Sequence, residues 1–326
     1  LKDASAFNIQ FLNGRPIHID TLSFEKYREG EPWAAYKQFC QHFLAPLAVM
    51  SYKGIWTGPL SLTHLDGVPL ELASSLLPLR THIKPSIQIH LHLHSRLLKK
   101  YAGKSNAGRV RRPNFKLRSR LGLLDSLLAT VRGFRWKSGA SFWRSYYEGD
   151  SYTPEAMDHK LRLVKEFLQL AQPKSVWDLG ANTGLFSRLA RDMGATTIAF
   201  DSDPSVVEAC YLATQGEGGS NLLPLVMDLA NPSPPIGWAN QERMGLGQRG
   251  PADMVLALAL IHHLAIANNV PLKMIAEYFR SICGWAVVEF IPRTDPKVML
   301  LLETREASFD DYTQERFEQE FSALFH

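Results

Sequence analysis

With 326 residues, 45% of them hydrophobic and 21% charged, and a formal net charge of +4, the chain has length for two domains with separate cores and the balance of a soluble enzyme rather than a fibrous or disordered protein. No apolar run approaches the length of a membrane span, and the start at Leu1 lacks a charged leader followed by an apolar core, so neither a span nor a signal peptide is expected. Three cysteines (Cys40, Cys210 and Cys283) with no CxxC pair argue against a disulfide framework and for a reducing, cytoplasmic compartment.

The first recognisable element is Phe7 to Asp20, two alternating runs around Asn13-Gly14, which predicts a β-hairpin. Asp3, Asn8 and Asp20 echo the acids of kinase-like phosphotransferases, but no glycine loop or strand lysine precedes them, and a kinase needs both upstream. Pro32 to Met50 has helical periodicity that puts Trp33, Tyr36, Phe39, Cys40, Phe43 and Leu44 on one side, a packing face. A shorter helical run, Leu70 to Leu77, stops at Pro78. In Ile89-His90-Leu91-His92-Leu93-His94 a strand would place three imidazoles on one face as the start of a metal site, whereas a helix would spread them over about 200°. Pro85 before the run and Ser95 to Lys100 after it favour the helix, and no metal is expected.

Charge then separates the halves: residues 1–150 carry 22 Lys and Arg against 10 Asp and Glu, while 151–326 carry 14 against 22. Much of the basic excess lies between Arg96 and Arg120, a stretch with no acid, with Phe115, Phe134 and Trp136 in or near it. Such a stretch suits an electrostatic track for a nucleic-acid backbone with aromatic platforms. Solvated basic runs are the commoner case, so nucleic acid is a partner allowed but not favoured. Residues 1–150 are therefore expected to form a mainly helical, basic domain beginning with a hairpin, with substrate recognition as a candidate role.

Between the halves, Gly139 to Tyr152 is rich in aromatics, including Trp143, Tyr146, Tyr147 and Tyr152. A helix follows, with Thr153 as cap, Pro154 at its first position and Glu155 in its first turn, ending before Pro173. Next comes Val176 to Leu179, then Gly180-Ala181-Asn182-Thr183-Gly184, a helical run from Leu185 to Met193, and Thr196 to Phe200 ending on Asp201. Strand, glycine turn, helix, strand and acid is the order by which an open α/β sheet holds a nucleoside. The bare backbone at Gly180 and Gly184 allows close approach, the helix N-terminus favours an anion, and Asp201, with Asp203 second, can accept ribose hydroxyls. A dinucleotide fingerprint would want glycine at 182 and 185, where the chain has Asn182 and Leu185. A phosphate loop is also excluded, because the glycine expected five residues before Gly103-Lys104-Ser105 is Leu98.

Asp178, Gly180 and Gly184 resemble the first motif of the class I S-adenosylmethionine-dependent methyltransferases, with Asn182 in place of the usual middle glycine. The resemblance continues through Phe200 to Pro204, then Leu225 to Leu229, where it implies an acid, Asp228, near the adenine amino group. It reaches Ala252 to Leu264 and Gly284 to Phe290 as fourth and fifth strands, covering residues 151–326. It implies S-adenosyl-L-methionine as cofactor, held by Asp178, Gly180, Asn182, Gly184, Asp201, Asp203 and Asp228, with Asp178 alternatively only buttressing the turn. It also implies an aromatic lid, Tyr147 or Tyr152.

Methyl transfer needs an acceptor aligned with the donor and shielded from water, and a base only if the acceptor must lose a proton. His262 and His263, just past the fourth strand, are the candidate bases, and Glu289 at the fifth is the acidic candidate. The Asn-Pro-Pro-aromatic signature of amino methylation on DNA bases is absent from the fourth strand. The long loop Asn231 to Pro251 brings Trp238 as a candidate wall for adenine or acceptor. The expected fold is a doubly wound α/β sheet after the helical domain. The resemblance adds two final antiparallel strands beyond the helix Tyr312 to Phe325, but the sequence stops at His326, so either it is cut short of that last hairpin or the sheet has only five strands. Two functions stand at this stage: a methyltransferase acting on an unidentified acceptor, or a nucleic-acid-binding module (or RNA/DNA methyltransferase) using the basic half. Oligomeric state is not legible.

Overall fold

A computed structural model describes residues 1–101, 115–137, 143, 153–215, 221–303, 305 and 309–325. The chain divides into two compact units, Leu1–Leu12 with Pro16–Gly139, and Asn13–Arg15 with Ala140–His326.

The hairpin pairs β1 (Ile9–Leu12) with β2 (Arg15–His18). Its two turn residues are both left-handed, Asn13 at φ 51° and Gly14 at φ 70°, as a two-residue hairpin turn requires. Asp3, Asn8 and Asp20 serve local turns: Asp3 accepts from the Ser5 amide at 3.0 Å, Asn8 donates to Ser23 Oγ at 3.1 Å, and that hydroxyl donates to Asp20 at 2.5 Å. Helical segments Tyr36–Phe39, Cys40–Leu44 and Ala45–Lys53 follow end to end, and Cys40, Leu44, Ala48 and Val49 are buried in one cluster with Leu70, Ala73, Ile87, Leu91 and Leu127.

The histidine run is helical, with His90 and His92 inside Gln88–Leu93, so the rings do not converge on a common point. Each is instead bound through both nitrogens to hydroxyl groups. His90 meets Tyr36 OH at 2.7 Å and Ser126 Oγ at 2.9 Å; His92 meets Ser74 Oγ at 2.7 Å and Thr81 Oγ1 at 2.8 Å. Burial lowers the pKa of both, and of His94. Of the basic stretch, Lys104, Arg109, Arg111 and Arg112 lie outside the described residues.

The second unit is an α/β fold built on five parallel strands in the order β5-β4-β3-β6-β7: β3 (Ser175–Leu179), β4 (Thr196–Asp201), β5 (Leu222–Val226), β6 (Ala252–Ala257) and β7 (Cys283–Val288). Alternate residues point to opposite faces. Trp177, Leu179, Val255 and Ala257 pack with Ile275 and Phe279 of the helix Leu272–Ile282 and with Phe321 of Gln314–Ser322. Val176, Met254 and Leu256 pack on the other face with Val164 and Leu168 of α1 (Pro154–Ala171) and Phe186 and Ala190 of α2 (Leu185–Asp192). Helices cover both faces, the doubly wound arrangement. Thr153 caps α1 by accepting from the Ala156 amide at 3.2 Å. The strand order reverses between β3 and β6, and a crevice outside the carboxyl ends of the strands at such a switch point is where open α/β sheets take ligands. No helix among the described residues is long and apolar enough to cross a membrane.

Candidate functional site

One cleft of about 240 Å³ opens there, lined at its base by Gly180 after β3, Asp201 at the end of β4 and Ser202 after it, Met227 and Asp228 after β5, and Leu258 to Leu260 after β6. The turn leaving β3 is pinned from below, because the amides of Gly180 and Ala181 both donate to the Phe200 carbonyl at 2.8 and 2.9 Å. Gly180, Asn182 and Gly184 have φ of 75°, 52° and 80°, a left-handed series. Glycine is required at 184 on a second ground, since a Cβ there would sit 2.4 Å from the Cys210 sulfur. Gly184 thus shapes the turn and opens α2, while Gly180 faces the cleft.

Asn182 stands where the resemblance has glycine, and its side chain carries connections that glycine lacks. Asparagine tolerates the left-handed region better than other non-glycine residues. Its amide N–H donates to Asp201 Oδ2 at 2.8 Å, its Oδ1 accepts from the Thr183 amide at 2.7 Å, and its Nδ2 donates to the Trp143 carbonyl at 2.8 Å. That last bond ties Trp143 to the cleft it lines. Tyr147 and Tyr152, the lid residues singled out from sequence, lie outside the described residues.

Asp201 accepts from Asn182 through Oδ2 and from the Asp203 amide through Oδ1 at 2.9 Å, leaving a further acceptor site on each oxygen for a ligand in the cleft. Burial raises its pKa, against the effect of these backbone donors. Asp228 also faces the cleft and accepts from the Ala230 amide at 2.9 Å. Two other acids are placed behind the surface. Asp203 is outside the cleft lining and accepts from the Ser205 amide at 2.8 Å in the first turn of the helix Pro204–Gln215. Asp178 is buried beneath the turn, accepting from Ser187 Oγ of α2 at 2.5 Å; burial pushes its carboxyl up to about 6, with Asp201 adding to the rise. It buttresses the turn rather than facing the cleft.

The two histidines separate. His263 lines the cleft, edge-on to Trp143 with ring centroids 5.2 Å apart. His262 is buried outside the lining, with Nδ1 unbonded, and burial pushes its pKa down to about 3. Burial, with the Lys297 charge, also lowers the pKa of His263, so both rings are neutral at pH 7. Glu289 is not itself in the lining; it pairs at 2.7 Å with Lys160 of α1, which is. Lys160 had no local signal, being one of several basic residues on an amphipathic helix. Asn268 and Ala267, on the rim, were likewise not singled out. Trp238, the expected wall, is 85% exposed and outside the cleft, because a bridge between Ile236 and Arg243 holds its loop together apart from the strand ends.

The chain is 36% identical over 326 residues to the nodulation protein NoeA of Rhizobium meliloti (strain 1021), covering 97% of this chain and 67% of that protein. No protein-family profile matches it. Among solved structures, the magnesium protoporphyrin IX methyltransferase ChlM of Synechocystis, crystallised with bound SAH, is 16% identical over 56% of this chain and 81% of its own, with a TM-score of 0.38. The Bacillus protein YcgJ is 16% identical over 51% and 68%, with a TM-score of 0.35. These structural likenesses are loose, and the fold rests on the strand order and register described above.

Proposed function

The chain belongs to the family of the nodulation protein NoeA, and from the cleft in its sheet unit we propose that it is an S-adenosyl-L-methionine-dependent methyltransferase. The observation that carries this reading is the convergence of Gly180, Asp201 and Asp228, from the ends of three adjacent strands, on one cleft. The residues fit the cofactor in kind: a glycine with nothing but backbone toward the ligand, a carboxylate with spare acceptor sites for two ribose hydroxyls, and a second carboxylate for the adenine amino group. When bound, the cofactor supplies an already activated methyl group.

The chain's own residues then position and deprotonate. Leu258, Leu260, Leu264 and Trp143 give the cleft dry walls, which exclude water from the reacting groups. His263, neutral and exposed to the cleft, takes a proton from the acceptor, while His262 packs behind it at a ring separation of 4.1 Å and holds its orientation. Lys160, paired with Glu289 behind it, forms the polar end of the same wall.

Calorimetric titration with S-adenosylmethionine and with its demethylated product tests the cofactor assignment: binding of both is expected, and no heat from either in folded protein overturns it. His263→Gln is expected to keep cofactor affinity within about threefold and to lower turnover by roughly 10²–10⁴, the usual contribution of a general base. Turnover unchanged in that variant removes His263 from the reaction.

A further inference from the structure

Beyond that reading, the helix Leu117–Gly133 in the first unit carries an outer seam that nothing in the chain covers among the described residues. Leu123, Leu127 and Val131 turn into the core of the unit, and Ser126 is bonded to His90. Leu117, Leu121, Leu124 and Leu128 do not. They are between 39% and 51% exposed. At 100° per residue these four fall within about 60° of one another, the narrow a/d stripe of a coiled-coil seam rather than the broad face of a surface helix.

The spacing of the stripe is four, three, four, and reads the same in both directions. A second copy laid antiparallel about a twofold axis therefore sets Leu117 opposite the partner's Leu128 and Leu121 opposite the partner's Leu124, so that all eight leucines are matched. The flanking charges agree with that orientation. Arg118 and Asp125 are exposed on the same side of the stripe, seven residues apart, and neither is in an ion pair among the described residues. In an antiparallel pair Arg118 faces the partner's Asp125, and the reverse contact repeats across the axis. A parallel pair leaves both charges unmatched, because Arg120, on the other flank, is committed to the Glu31 carbonyl and lies over the Tyr27 ring at 4.5 Å. We infer that this chain self-associates as an antiparallel, twofold dimer through the Leu117–Gly133 helix. Rim charges of this kind fix orientation, and the leucines supply the apolar burial.

Sedimentation equilibrium of the chain at tens of micromolar is expected to give twice the chain mass, falling to one chain mass in L121D/L124D. Both positions are exposed, so the variant keeps its helical circular dichroism; a wild-type monomer at that concentration overturns the proposal. Orientation is read by oxidation of single-cysteine variants, the three native cysteines being buried. L121C alone and L124C alone are expected to stay monomeric on a non-reducing gel, and an equimolar mixture of the two to form a cross-linked pair. Cross-linking of each variant with itself is the parallel result and overturns the antiparallel seam. Retention of the dimer by L121D/L124D assigns association to another surface and overturns it too.

Discussion

Asp178 gives the sharpest test of the site's electrostatics, because it is a carboxyl held almost wholly out of water, with its folded pKa raised to about 6 from the ordinary 3.8. The folded state then binds more protons than the unfolded one between those values, so stability falls as pH rises from 3.8 through 6, the opposite of a salt-bridged aspartate. At pH 8 the penalty for the ionised form approaches roughly 3 kcal/mol, most of it absent at pH 4, a change of roughly 2–3 kcal/mol across that interval. Asp178→Asn removes the titration, while its amide oxygen still accepts from Ser187. Any fixed cost of the buried NH₂ group is the same at both pH values and cancels in the comparison. Urea denaturation of the protein at pH 4 and pH 8 is therefore expected to show the stability difference of the sheet unit, variant minus wild type, growing by roughly 2–3 kcal/mol from acid to alkaline. Parallel profiles for the two proteins, within about 0.5 kcal/mol, would refute the claim that this carboxyl is strained by burial.

Gly184→Ala is expected to destabilise the sheet unit by roughly 2–4 kcal/mol, from overpacking against Cys210 and a left-handed alanine together; adding Cys210→Ala should recover the steric part only, a coupling that denaturation of the four proteins measures. Asp201→Asn should weaken S-adenosylmethionine binding by roughly 10–100-fold, the worth of hydrogen bonds to a charged acceptor. Wild-type affinity, followed by calorimetry against pH, should begin to fall at a higher pH than for an ordinary aspartate, since burial raises this carboxyl. The helical unit should lose stability on acidification: His90 and His92 have lowered folded pKa values, so the unfolded chain binds more protons below about 6.5 and stability drops as pH falls from there. Protection factors for amide exchange across Gln88–Leu93, each taken against the intrinsic rate at its own pH, should fall between pH 7 and pH 5, and unchanged protection would count against it.

The parallel sheet was readable in advance because strands covered on both faces leave continuous apolar runs, as in residues 254–257, and because glycine follows directly on the strand end at Leu179. The hairpin was readable from Asn13-Gly14 alone, since few dipeptides adopt two left-handed residues in succession. Side-chain direction beyond the last strand residue was not. His262 and His263 are neighbours at the end of β6, and adjacent helical positions differ by about 100°, so the cleft can receive only one of them. Which one is set by the turn at Ala259, left-handed at φ 51°, a feature no sequence pattern announces for alanine. Lys160 escaped for a related reason, since it reaches the cleft by tertiary packing from a helix whose pattern records only its buried face; in the aromatic segment, nothing marked Trp143 above the tyrosines beside it.

Asn182 shows how a departure from a motif can carry information that the matches do not. A glycine there would satisfy the left-handed backbone and still donate its amide to Asp201, so turn geometry alone gives no reason for asparagine. What the side chain adds is the pair of bonds to the Thr183 amide and the Trp143 carbonyl. The first stiffens the turn that presents Gly180, and the second fixes an indole edge-on to His263. The cost of a non-glycine residue at φ 52° is of order 1 kcal/mol, comparable to what one net hydrogen bond returns. With two such bonds the exchange favours asparagine, and its product is a cleft whose glycine turn is tied by a hydrogen bond to its aromatic wall.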